Sequence, residues 1–237
     1  GERAEPKSKL VDSPLRKPLE ALGWDCPYGP PMMKGWLPKH NALKDILSPH
    51  TGFKWSKLIR TADEVSANII SKLHAGWQSE LGVVSLDVAI NGIHGVAHMD
   101  RLNISTSCGF PYKGPKKAFL YCDEPDFNGR LTLDPIISSQ VDTLLVTWAE
   151  SELAGVVITA ALKDEPRKLD KIASGSTRMF QVAPMAATVA MRKLLLSFLR
   201  LFYNNHEAFM SAPGMDATCG EWNQMANWLS EMPNFID

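Results

Sequence analysis

The chain has 237 residues, 45% hydrophobic and 22% charged, which is enough apolar content to bury a sizeable core and excludes a linker or a mini-protein. With 25 Lys and Arg against 26 Asp and Glu, the net charge of -1 excludes nucleic-acid binding through an overall positive field and leaves a local basic groove as the alternative. Four cysteines, Cys26, Cys108, Cys122 and Cys219, stand far apart without a CxxC pair, so a zinc knuckle and a dense disulfide scaffold are both excluded and a reducing compartment is expected.

Gly1 to Leu10 alternates charges and has no apolar run of the signal-peptide kind. The first sixty residues carry Pro14, Pro18, Pro27, Pro30, Pro31 and Pro38 with no sustained helical or strand period, which predicts an extended arm lying over other structure. Thr61 and Glu64 form a capping-box pattern, and Val65, Ile69, Ile70, Leu73 and Trp77 recur at helical spacing, predicting a helix from Thr61 to about Leu81. Asp134 and Pro135 open a second helix that carries Ile136, Val141, Leu144, Leu145 and Trp148, with Gly155 marking its end. Val156–Leu162 and Met179–Val182 are β-branched or apolar runs, expected as two strands joined by a long basic excursion. After Pro184 comes a long helix from about Met185 to Tyr203. Its Arg192, Lys193 and Arg200 make it a core helix and not a membrane span. A further helix carries Trp222, Met225, Trp228 and Leu229, and Asn234 to Asp237 reads as the start of a strand in a longer molecule.

The most informative stretch is the basic excursion itself, Lys163 to Arg178. Lys163, Arg167, Lys168, Lys171 and Arg178 are interleaved there with Asp164, Glu165 and Asp170. A loop that holds triphosphate or RNA backbone needs Arg forks and Lys point charges, while its acids can pin those side chains in place. Gly175, between Ser174 and Ser176, suits the return turn. The same composition also suits a solvated charged hairpin. A second stretch, Thr106-Ser-Cys-Gly-Phe-Pro-Tyr112, read alone is a good turn.

Taken together, these segments resemble the RNA-dependent RNA polymerases of picorna-like positive-strand RNA viruses. The excursion is similar to their motif F, and Thr106–Tyr112 resembles their motif G. Lys9-Leu-Val-Asp-Ser-Pro-Leu15 looks like the start of their index finger. Val189-Ala-Met-Arg192 and Ala212–Trp222 look like the helix after motif F and the segment before motif A. The resemblance implies an α+β right-hand polymerase fingers region, with helices packed on short strands. Residues 1–60 would form the index-finger arm, and residues 61–237 a fingers domain ending at the start of the palm's motif A strand. It further implies that Lys163 and Arg178 contact the triphosphate of the incoming nucleotide, and that Arg167 and Lys171 line the nucleotide channel and the RNA path. Thr106, Ser107, Gly109, Pro111 and Lys113 would guide the template. Ser176 stands where many relatives have Lys.

The resemblance implies Mg2+ or Mn2+ for the complete enzyme, with ligands beyond Asp237, so the chain by itself is expected not to polymerise RNA. Expected partners are template and primer RNA, nucleoside triphosphates and the remaining palm and thumb, in the host cytoplasm. The alternative from another class is a non-catalytic RNA-binding module, and a third is a scaffold or interaction domain. His94 and His98 are four apart, but Gly95 between them disfavours the helix that a zincin site would need. The seven tryptophans are expected to pack in the core and the arm.

Overall fold

The computed structural model describes residues 8–33, 35–49, 52, 54–216 and 218–231. They fall into two units, one formed by 1–52, 103–120 and 135–188 and the other by 53–102, 121–134 and 189–237.

In the first unit the Pro-rich stretch is not simply extended. Arg16–Ala21 forms a short helix, α1, and Leu37–Leu47 forms α2, with Pro38 near its first turn, where a missing N–H costs nothing. Between them Tyr28–Gly29 forms β1. The helix signalled by Asp134 and Pro135 is α5, Pro135–Ala149, and it buries Ile137 and Val141 one turn apart. It stops six residues before Gly155. Ser151 takes a positive φ of 60° and donates its N–H to the Trp148 carbonyl, so a serine closes the helix.

The two expected strands are β4, Thr159–Leu162, and β6, Met179–Val182. They pair antiparallel, with Thr159 opposite Val182 and Leu162 opposite Met179. Between them lie β5, Arg167–Lys168, and the short helix α6, Leu169–Ala173. Gly175 has φ +70°, and a Cβ there would overlap the Leu37 side chain, so the return turn needs a glycine for conformation and for space. The buried side chains of this unit include Cys108, Ile137, Val141, Ile172 and Met185.

The second unit holds α3, Trp55–Lys72, and α4, Leu86–Asn91. It also holds the paired strands β2, Leu120–Cys122, and β3, Leu131–Leu133, most of α7, Met185–Asn204, then α8, His206–Phe209, and α9, Glu221–Ser230. Helix α3 starts six residues before Thr61, because Trp55, Leu58 and Ile59 continue the apolar stripe upstream. Its N-cap is Lys54, and the Thr61–Glu64 pair lies inside the helix. The helix ends at Lys72, and Trp77–Glu80 forms a separate 3-10 turn. Ser85 caps α4 by accepting the Val88 N–H at 3.1 Å.

Arg192 of α7 ties this unit together. Its Nε donates to the Ala89 carbonyl at 2.6 Å and its NH2 to the Asp100 carbonyl, while burial lowers its pKa. Ile90, Met99, Leu102, Leu131, Leu133, Val189 and Leu201 fill the core. His98, at a positive φ of 61°, stacks on Tyr203 with ring centroids 5.0 Å apart. Four tryptophans, Trp24, Trp36, Trp55 and Trp222, are exposed, so core packing holds for none of these. Among the described residues, no helix is long and apolar enough to cross a membrane. Asn234 to Asp237 lie outside the described residues.

Candidate functional site

Lys163 follows β4 directly, and Arg178 precedes β6 directly, so the antiparallel ladder sets the two cations side by side. The Lys163 N–H donates to the Arg178 carbonyl at 2.9 Å. Between them the Glu165 carboxylate gathers three cations. Lys163 Nζ lies 3.0 Å from its Oε2, while Arg178 Nε lies 2.8 Å and Arg167 NH1 3.8 Å from its Oε1. Arg167 also donates through NH2 to the Ser176 carbonyl at 2.8 Å.

Glu165 is the recessed member, with 19% of its side chain exposed against 54% for Lys163 and 60% for Arg178. The Lys163 ammonium above all, with the Arg178 and Arg167 charges, holds the Glu165 carboxyl below the usual carboxylate range. The two more exposed cations of the trio are thus each held by Glu165 and still open to solvent. Lys171, on α6, is exposed and forms no ion pair among the described residues. It therefore stands apart from the trio around Glu165.

Of the three acids in the excursion, only Glu165 pins cations. Asp164 instead holds the arm, accepting the Ser8 hydroxyl at 2.6 Å and the Lys9 N–H at 2.7 Å, and these donors lower its pKa. The arm continues along the excursion. β1 pairs antiparallel with β5, Tyr28 opposite Lys168 and Gly29 opposite Arg167, and Leu169 donates its N–H to the Pro27 carbonyl. Asn41 on α2 donates to the carbonyls of Ser174 and Gly175, both at 3.2 Å. The partner surface that a Pro-rich arm requires is thus the basic excursion. No pattern within either segment names the other, so sequence reasoning missed the pairing.

The Thr106–Lys113 stretch is a loop closed by backbone pairing. Lys116 N–H donates to the Thr106 carbonyl at 2.8 Å and Cys108 N–H to the Gly114 carbonyl at 3.0 Å. Cys108 and Gly109 are buried, whereas Thr106, Ser107, Pro111 and Lys113 are exposed. Gly109 has φ +72°, and a Cβ there would lie 2.5 Å from the Ala183 carbonyl oxygen. Met185 N–H donates to the Cys108 carbonyl at 2.7 Å. The loop is therefore seated on the residues that follow β6, which fixes it to the same unit as the excursion. Lys116, absent from the sequence-based site, lies beneath the loop, 7% exposed.

Comparison with known proteins identifies a family and a fold. A family model described as viral RNA-dependent RNA polymerase matches residues 56–235. The RNA1 polyprotein of Andean potato mottle virus is 32% identical, covering 98% of this chain and 32% of that protein. The RNA1 polyprotein of cowpea mosaic virus is 25% identical over 98% of this chain and 12% of that protein. Among solved structures, a Sicinivirus 3Dpol RNA dependent RNA polymerase shares the fold, with a TM-score of 0.69 at 19% identity over 97% of this chain and 46% of that chain. The chain spans a minor part of each polyprotein and under half of the solved polymerase.

Proposed function

Because the chain belongs to the viral RNA-dependent RNA polymerase family, we propose that it is the fingers portion of such an enzyme, guiding template RNA over the 106–113 loop and the incoming nucleoside triphosphate under the 163–178 excursion. The observation that carries this reading is the convergence of Lys163, Arg167 and Arg178 on Glu165. Three cations on one carboxylate leave an excess of positive charge, held in place before any ligand arrives. A triphosphate gathers negative charge as its α–β bond breaks, and fixed cations stabilise that change without reorganising. Lys163 and Arg178, the exposed pair, take the triphosphate. Arg167 and Lys171 line the channel and the RNA backbone path, and Ser107, Gly109, Pro111 and Lys113 carry the template.

The reaction of the whole enzyme is template-directed nucleotidyl transfer to a primer 3′ end. No group of three or more His, Cys, Asp or Glu side chains among the described residues is placed to hold a metal ion. The resemblance to the family, and not that absence, is the ground for assigning the Mg2+ or Mn2+ ligands of the complete enzyme to the palm, beyond Asp237. Residues 1–60 act as the index-finger arm and 61–237 as the fingers. An apolar cavity of about 590 Å³ on the arm, lined by Val11, Leu15, Leu19, Trp24 and Tyr28 among others, is a suitable surface for the remaining palm and thumb. The setting is the viral replication complex in the host cytoplasm.

The test is equilibrium binding of the chain to a nucleoside triphosphate, the matching monophosphate and a short oligouridylate. The fingers reading expects the triphosphate to bind more tightly than the monophosphate and to compete with neither loss nor gain of RNA at the 106–113 loop. Binding of RNA with no preference for the triphosphate would instead make the chain a non-catalytic RNA-binding module.

A further inference from the structure

The 105–107 stretch presents three hydroxyls in a row, and the hydrogen-bond polarity of the loop sorts them. Lys116 Nζ lies 2.5 Å from Thr106 Oγ1 and 2.8 Å from the Ser107 carbonyl oxygen. An ammonium only donates, so Thr106 Oγ1 accepts there, and its own hydrogen goes to the Asn103 carbonyl at 3.0 Å. Ser105 Oγ is likewise committed, donating to Asn103 Oδ1 at 2.7 Å. Ser107 Oγ accepts the Gly109 N–H at 3.2 Å, and its hydrogen has no acceptor among the described residues. All three residues are exposed, and of their hydroxyls that of Ser107 is the one with its proton still to give.

We propose that Lys116 is the positioning residue of this loop, turning the Thr106 hydroxyl inward and fixing the Ser107 backbone so that Ser107 presents the donor to a phosphate of single-stranded RNA. The proposal rests on the fingers reading and deepens it, dividing the work between neighbouring residues. Burial supports it. An ammonium 7% exposed is too deep to meet a phosphate itself, its Nζ is occupied by Thr106 Oγ1 and the Ser107 carbonyl, and burial lowers its pKa.

The experiment is a double-mutant cycle on the 237-residue chain, with oligouridylate affinity measured across a salt series and thermal midpoints recorded for each protein. Ser107→Ala should weaken binding about tenfold, as expected for one hydrogen bond to a charged acceptor, with the midpoint unchanged. Lys116→Met should weaken it by a similar factor, and the double variant should be no worse than either single one. The slope of log affinity against log salt should stay as in the parent chain. A phosphate-contacting lysine would instead lower it by about 0.7.

Should Lys116→Met not fold, Thr106→Val removes the acceptor of the ammonium while keeping the shape, and its cycle with Ser107→Ala reads the same coupling. Additive losses, a reduced salt slope, or parental affinity in a folded Lys116→Met variant would each overturn the proposal. Absence of RNA binding by the parent chain would overturn the template reading and this inference with it, whereas RNA binding without Lys116–Ser107 coupling overturns this inference alone.

Discussion

The Glu165 carboxylate and the Arg178 guanidinium meet at 2.8 Å across the base of the β4–β6 ladder, with Lys163 closing on the other carboxylate oxygen at 3.0 Å. The acid fixes where two exposed cations point, which is a different task from neutralising them. This separates the effects of removing the acid from those of removing a cation.

Removing the acid should register in pH dependence. The folded Glu165 carboxyl lies below its unfolded value, so its contribution to stability is fully present above the ordinary glutamate range and is lost as pH falls through the folded value. Glu165→Gln should therefore flatten part of the fall in melting temperature between about pH 5 and pH 3. Asp164, lowered for its own reasons, should keep the remainder. Melting scans at stepped pH decide it, and an unchanged acid limb would remove Glu165 as a stabilising partner of the cations.

Arg178→Ala should weaken nucleoside triphosphate binding about tenfold and leave oligouridylate affinity within about twofold, since the proposed partner of this guanidinium is the triphosphate. Parallel titrations with both ligands measure the two effects. Equal losses would place Arg178 on the RNA path instead.

Gly109→Ala should cost about 3 kcal/mol. The site combines a positive φ with a backbone carbonyl where the methyl would go, and neither can be relieved by a side chain swinging away. Urea unfolding of the chain measures this, and a cost below about 1 kcal/mol would show that the loop can lift from Ala183.

Arg192→Met should destabilise the second unit by about 2 kcal/mol. It keeps the apolar stem and removes the donors to the Ala89 and Asp100 carbonyls. Hydrogen exchange should locate the loss in the 84–102 stretch, and protection unchanged there would mean that other contacts hold it.

Much of the fold was legible because it is local. Met179–Val182 is a strand to the residue, α7 differs from its expected range by one residue, and Pro135 opens α5, all from patterns complete within a few neighbours. The errors also have local causes. Thr61 and Glu64 have the right types at the right spacing, but an apolar stripe that begins at Trp55 outweighs a cap whose residues are free to lie on a helix surface. Gly155 was the more conventional stop, yet Ser151 took the left-handed position first.

The sequence by itself determined the family, through the order of Lys163, Arg167, Lys171 and Arg178 and the small-residue loop at 106–111. Charge and size are properties of single residues, and their order along the chain is visible at once. Only the tertiary structure decided which acid serves which cation, that the Pro-rich arm lies along the excursion as a paired strand, and that a buried Lys116 meets the Thr106 hydroxyl and the Ser107 carbonyl. Each of these relations joins groups distant in the chain or fixes the direction of a hydrogen bond, and such pairings are set by packing and desolvation, which no single stretch of sequence contains.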